Sequence, residues 1–324
     1  MTQAQRARQM LIVACSTWGL SFPVVKALTM AQLASVPGAD TWFLCGVTMV
    51  ARFAIAALIV FAVLLRGSIR CTRAEFFQGL GVGIFGGLGM VFQVDGLGYT
   101  TASTSAFLTQ GTVITIPITK ALLHHELPSR RAFGCVLLAL VGVAVLSQLD
   151  VAHMSLGRGE AETLIAALFF TGHILWLERP CFAGNDSCKV SLVMFATIAV
   201  ITLPMILSKP MQAVQSLSSG GAWLCLALLV GPCTLGSFLW MNRWQPFVSA
   251  TTAGLIYCLE PVFASLFALV LPGLLSLSMG IRYANETVTL PMLLGGGLIL
   301  LANVFMQWPA SKDAESSRLN ERGI

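Results

Sequence analysis

The chain has 324 residues, 56% of them hydrophobic and 10% charged, with a net charge of +5. Soluble domains carry about 25% charged residues, so this balance excludes an ordinary water-soluble fold and points to an integral membrane protein. The length suits one polytopic membrane domain and leaves no room for a large soluble domain beside it.

Ten apolar stretches follow one another, at roughly 10–31, 41–65, 76–94, 101–122, 132–149, 161–178, 190–207, 221–240, 249–271 and 289–307. A hydrocarbon core of about 30 Å takes about 20 helical residues, so each stretch reads as a membrane-crossing helix. The runs are continuous, unlike the short alternating segments of a barrel. Helices also satisfy every backbone polar group in lipid.

Span one follows Arg6 and Arg8, as a signal peptide would. Its length, Pro23 and Lys26 near its far end, and the lack of a small-x-small cleavage site predict an uncleaved helix. Trp18 lies inside this span, and Lys26 is placed to snorkel to the interface. Span two holds Arg52 near its middle. Span three carries Gln93 and six glycines, at 79, 81, 83, 86, 87 and 89, which predict close helix packing. Span four holds Gln110 and Pro117; span six holds His173 and Trp176; span eight holds Pro232. Span nine holds Tyr257, Glu260 and Pro261. Pro261 predicts a kink that frees the carbonyl of Tyr257 beside Glu260.

Ionisable residues within spans are costly in lipid and are functional candidates for that reason. Arg52 and Glu260 either engage a charged or zwitterionic solute or satisfy neighbouring helices. His173 either relays protons or bonds an adjacent helix. Trp18, Gln93, Gln110, Trp176 and Tyr257 combine a compact or apolar body with a polar handle, as a small-molecule pocket requires. Trp244 and Trp308 fit interface anchors better.

With a cytoplasmic N-terminus, fourteen basic residues fall on the cytoplasmic side and three (Arg158, Lys209 and Arg282) on the other. This is a positive-inside pattern, so the basic charge is mainly an orientation signal and argues against a nucleic-acid partner. The nine cysteines are scattered, without CxxC, which predicts neither a disulfide framework nor a metal centre. GxSxG and HExxH are absent, and His124-His125-Glu126 lacks the second histidine that helical metal spacing needs. No cofactor is expected.

The chain divides near residue 155, in the polar segment Asp150–Glu162, into five spans and five. The boundaries are 1–154 and 155–311, with a polar tail at 312–324. Thr104-Ser105-Ala106 and Thr251-Thr252-Ala253 open the fourth span of each half. Glu126 with Ser129, and Glu286 with Thr289, precede each fifth span. Because five is odd, the second half must be inverted relative to the first, an architecture recurrent in transporters.

Several motifs, in order, resemble one family. They are Trp18-Gly19-Leu20-Ser21-Phe22-Pro23, Ala51-Arg52-Phe53, Tyr99-Thr100-Thr101-Ala102, Leu259-Glu260-Pro261-Val262-Phe263, and the acids Glu126 and Glu286. The set resembles the EamA-type transporters of the drug/metabolite transporter superfamily over about 10–307. Two departures stand out. His125 and Asn285 occupy positions where the family usually has glycine, and the last loop carries extra residues from Pro272 to Ala284.

The resemblance implies an all-α integral membrane protein of ten transmembrane helices in two inverted five-helix repeats. It implies a multi-pass protein of a bacterial inner membrane, both termini cytoplasmic, that moves a small organic solute by alternating access. Amino-acid-like, nucleoside-like and drug-like solutes all fit, with membrane lipids around the protein and a proton as a candidate coupling ion. An integral-membrane enzyme acting on a lipid-linked substrate would need a cluster of catalytic groups at one face. A channel would need a repeated pore-lining or filter motif. Neither is evident. Substrate, direction of transport and oligomeric state stay open.

Overall fold

The computed structural model describes residues 2–96, 99, 105, 108–124, 128–146 and 157–307. Thr100, Thr101, Ala102, Thr104, Ala106, His125, Glu126, Asp150, Trp308 and the tail 312–324 lie outside the described residues. The helices are α1 Gln3–Ser35, α2 Thr41–Leu64, α3 Arg73–Gly96, α4 Thr112–His124, α5 Arg130–Leu146, α6 Arg158–Leu177 and α7 Ser187–Thr202. They continue as α8 Pro210–Ser216, α9 Gly220–Val230, α10 Ser237–Trp244, α11 Ala250–Tyr257, α12 Glu260–Ala268, α13 Leu271–Met279 and α14 Leu290–Gln307.

Among the described residues, seven helical segments are long and apolar enough to cross a membrane. They are α1, α2, α3, α6, Ser187–Met205, Gly220–Phe247 and Ala250–Ala268. Shorter helices fall within the other three predicted spans, at α4, α5 and α14. Much of the outer surface is apolar: Leu58, Leu122, Val200 and Leu293 are each more than 60% exposed. Large aliphatic groups pointing outward on long helices suit a lipid surround rather than water.

The interior is held together by close approach. On α3, Gly79, Gly83 and Gly87 face Val193, Thr197 and Ile198 of α7, while Gly81, Gly86 and Gly89 face Trp176, His173 and Phe170 of α6. One helix thus seats two neighbours on two glycine stripes, and these glycines serve packing inside the bundle. At Gly19 of α1, a Cβ would stand 2.6 Å from Cβ of Phe263 and 2.8 Å from N of Ala264. That position must be glycine for α12 to lie against α1. The other main packings are α5 on α14, α2 on α7, α1 on α9 and α10, and α4 on both α6 and α11.

Irregular backbone gathers near the middle of the spans. A π-helical stretch, Gly231–Gly236, joins α9 to α10. Pro232, lacking an N–H, is its second residue. Between α11 and α12 the regular α pattern lapses at Cys258–Leu259, just before Pro261, and Leu259 N donates to Ile256 O at 3.0 Å instead of one residue further back. Before α4 it lapses at Gln110–Gly111, where Gly111 N donates to Leu108 O and Val113 N to Gln110 O, both at 3.0 Å.

The extra segment 272–284, expected as loop, is in large part a helix. Pro272 sits in the first turn of α13, where its missing N–H costs nothing. Gly280 closes the helix at φ 67°, a left-handed cap. Leu275, Met279 and Tyr283 pack on Leu28, Ala222 and Cys225 of α1 and α9. Asn285, where the family resemblance calls for glycine, accepts from Gly273 N at 2.6 Å. The side chain at that departure therefore ties the added segment down. Burial pushes the Tyr283 phenol up to about 12, with the charge of Glu286 adding to the effect.

Candidate functional site

The helix break between α11 and α12 places three of the sequence candidates together. Trp18 sits at the middle of the 33-residue α1. Its ring meets the Tyr257 ring edge-on, centroids 5.2 Å apart, and the Phe238 ring at 5.3 Å. Tyr257 ends α11, and Glu260 begins α12 three residues later. Cys15 lies one turn before Trp18 on the same face of α1. Its thiol approaches Ile256 O at 3.6 Å and Tyr257 O at 3.7 Å. That weak donor is the one recorded for the Tyr257 carbonyl, whose helical partner Pro261 removed.

Glu260 is half-buried, within electrostatic range of Cys15, Tyr257 and Cys258. Among the described residues no hydrogen bond or ion pair reaches its carboxylate. The Trp18 Nε1 is buried and also without an acceptor. Tyr257 is the satisfied member: its hydroxyl donates to Gln245 Oε1 at 2.7 Å, and Gln245 Nε2 donates to Ile174 O at 2.9 Å.

Arg52 is used differently from Glu260. It is buried on α2 and reaches into the π-helical stretch. Its Nε donates to Thr234 Oγ1, and its Nη2 donates to Cys233 O at 2.7 Å. Thr234 in turn donates to Leu229 O at 2.7 Å. Ser237 Oγ also donates to Cys233 O, at 2.7 Å. Arg52 therefore pins two helices and a distorted turn, which is the helix-holding alternative of the sequence reading. Rings connect it to Trp18, its guanidinium over Phe53, Phe53 to Phe238 at 6.0 Å and Phe238 to Trp18 at 5.3 Å.

The other candidates form separate groups. Gln93 of α3 donates to Thr109 Oγ1 at 3.1 Å, next to Gln110 at the second backbone lapse. Gln110 is buried, and its amide makes no hydrogen bond among the described residues. His173 is buried on α6, its Nδ1 3.1 Å from Val82 O. A carbonyl only accepts, so Nδ1 carries the proton there, and Nε2 is left buried without a partner among the described residues. Trp176 packs among Gly81, Phe85 and Phe182, under the Arg179 guanidinium. It packs on the α3 stripe, apart from the Trp18–Tyr257–Glu260 group, with its Nε1 also buried and without a partner among the described residues.

Charged clasps close the two ends. Where α4 and α6 finish, Lys120 Nζ lies 3.0 Å from both carboxylate oxygens of Glu178, and Glu178 accepts from Ala250 N at the start of α11. At the opposite end Asp95, almost fully buried, pairs with Arg158 at 2.7 Å and accepts from Thr41. Lys26 stands exposed over the Tyr283 ring at 5.2 Å, as a snorkelling lysine would.

Sequence reasoning missed Thr234, Cys233 and Gln245. The first two act partly through backbone and a hydroxyl on a distant helix, which leaves no local pattern. Gln245 carried a faint signal: an amide directly before Pro246 at a span end.

Comparisons with known proteins agree with this architecture. The EamA-like transporter family matches residues 6–148. An uncharacterized transporter of Archaeoglobus fulgidus is 29% identical over 292 residues, 89% of this chain and 82% of that protein. An uncharacterized transporter of Haemophilus influenzae is 29% identical over 142 residues, 42% of this chain and 81% of that protein. A protein of known crystal structure shares the fold, with a TM-score of 0.62 and 20% identity over 94% of this chain and 96% of that one. Residues 6–148 thus match the EamA-like transporter family, within a multi-pass membrane protein.

Proposed function

We propose that this chain is a secondary transporter that moves a small organic solute by alternating access between two inverted five-helix halves, 1–154 and 155–311. The solute would sit at the mid-span helix breaks, with Trp18, Tyr257 and Glu260 facing it. The observation that carries this reading is the pair of backbone lapses. Gln110–Gly111 and Cys258–Leu259 fall six to eight residues after the first threonine of the matching Thr-Ser-Ala and Thr-Thr-Ala segments of the two halves. Broken helices at matching positions near the bilayer midplane are where inverted-repeat transporters place substrate and ions.

The packing supports the same symmetry. Exchange the halves, span one for span six and so on. Then α3 on α6 becomes α9–α10 on α1, α3 on α7 becomes α9 on α2, and α4 on α6 becomes α11–α12 on α1. The contacts α2 on α7, α4 on α11 and α5 on α14 map onto themselves. Every one of these packings is present. The family match ends at residue 148, the end of the fifth predicted span, which fits a five-span unit.

The charge asymmetry supports a bacterial inner-membrane orientation with both termini and the tail 312–324 in the cytoplasm. Lys120–Glu178 then lies at the cytoplasmic end and Asp95–Arg158 at the outer end. A proton is the proposed coupling ion and Glu260 its proposed carrier. Family and relatives speak for a transporter over an enzyme. The test is uptake and efflux of a broad metabolite panel in cells with and without the protein. A solute whose movement depends on the protein supports the proposal. A panel unaffected by correctly inserted protein contradicts it.

A further inference from the structure

We infer that the solute is an organic ammonium ion that also carries a hydrogen-bond acceptor, held between Glu260 and the Trp18–Tyr257 ring pair. The inference rests on reading the α11–α12 break as the solute site and adds the chemical class. Four observations meet there. Among the described residues Glu260 has no partner and no countercharge bonded to it. The basic residues inside the predicted spans are engaged elsewhere, Arg52 on Thr234 and Cys233, Lys26 over Tyr283 and Lys120 on Glu178. The nearby carbonyl of Tyr257, which lost its helical donor to Pro261, presents an acceptor met by the Cys15 thiol at 3.7 Å, whereas Ile256 O already accepts from Leu259 N at 3.0 Å. Beside them stand two aromatic rings 5.2 Å apart.

Carboxylate, the open carbonyl and ring faces all attract a cation, and an ammonium also supplies N–H donors to the oxygens. A bare metal ion fits less well, because ring faces replace the oxygen ligands that hard cations need. An anion would meet only repulsion from Glu260. Trp18 Nε1, a buried donor without an acceptor, adds the second requirement, a hydroxyl or carbonyl on the same solute.

A matched probe set tests this on the full chain purified in detergent. The probes are 2-amino-1-phenylethanol (an ammonium with a hydroxyl), its neutral analogue 1-phenylethane-1,2-diol, and the anion mandelate. Calorimetric titration should show saturable binding of the ammonium, about tenfold or more tighter than the diol, the size of one charged hydrogen bond. Mandelate should not bind. Glu260→Gln should erase the preference for the ammonium, while Glu260→Asp keeps it. Trp18→Leu should weaken ammonium binding in a protein of unchanged elution volume, which guards against a Glu260 variant that fails to fold. Equal binding of the diol, tighter binding of mandelate, or no binding of the ammonium would each overturn the inference. A neutral or anionic solute found in the transport panel would overturn it too, while leaving the transporter reading intact.

Discussion

Arg52 Nη2 donates to the backbone carbonyl of Cys233 at 2.7 Å, joining α2 to the π-helical turn between α9 and α10. A charged group is buried here to hold irregular backbone in place, with Thr234 accepting its Nε. Arg52→Gln should therefore act first on stability, by about 1.5–3 kcal/mol for a lost charged hydrogen bond. Thermal unfolding of the purified protein reads this directly. Unchanged stability with lost transport would instead make Arg52 a solute ligand.

Gly19 offers a test of packing with its own control. A Cβ there would meet Phe263 and the backbone of Ala264, whereas one at Gly297 meets nothing within 4 Å. Gly19→Ala should destabilise by about 1–3 kcal/mol, as overpacking does. Gly297→Ala should be neutral or slightly stabilising, since alanine is the better helix former. Equal melting temperatures for the two variants would refute the close α1–α12 approach.

The Lys120–Glu178 clasp joins the ends of α4 and α6 and caps α11 through Ala250 N. Both side chains are partly exposed, so Glu178→Gln should cost only about 1 kcal/mol. Its larger effect should be on accessibility. A single cysteine placed in α4 near Lys120 should label faster from the membrane side that bears the clasp once the clasp is cut. No change in labelling rate would mean that the clasp does not restrain that end.

Asn285→Gly restores the residue that the family resemblance calls for and removes the acceptor for Gly273 N. The segment around α13 should become more sensitive to added protease, while thermal stability falls by only about 1 kcal/mol. Unaltered proteolysis would show that the packing of Leu275 and Met279 alone holds the segment.

How much of this was legible in the sequence varies by physical cause. Apolar runs locate the helices because lipid demands continuous hydrophobic length. The kink before Pro261 was legible because proline removes a specific donor. The lapse at Gln110–Gly111 was not, since Pro117 lies six residues further on and the bond beside it, from Gln93 to Thr109, comes from another helix. Arg52 and Glu260 looked alike as buried charges. Only three-dimensional contacts separate them, one satisfied by Thr234 and Cys233 and the other left without a partner. The α13 helix was hidden because nine residues are too few for a span, although Pro272 and Gly280 mark its ends.

Solute flux through Glu260 variants tests the central claim most directly. Once the metabolite panel yields a solute, wild-type protein in sealed vesicles should exchange it and accumulate it against a pH gradient. Glu260→Gln keeps the shape of the side chain and removes its charge. If Glu260 lies on the solute path, this variant should lose gradient-driven accumulation, and exchange should fall by about tenfold or more. Flux and accumulation equal to wild type in a folded Glu260→Gln protein would contradict the account.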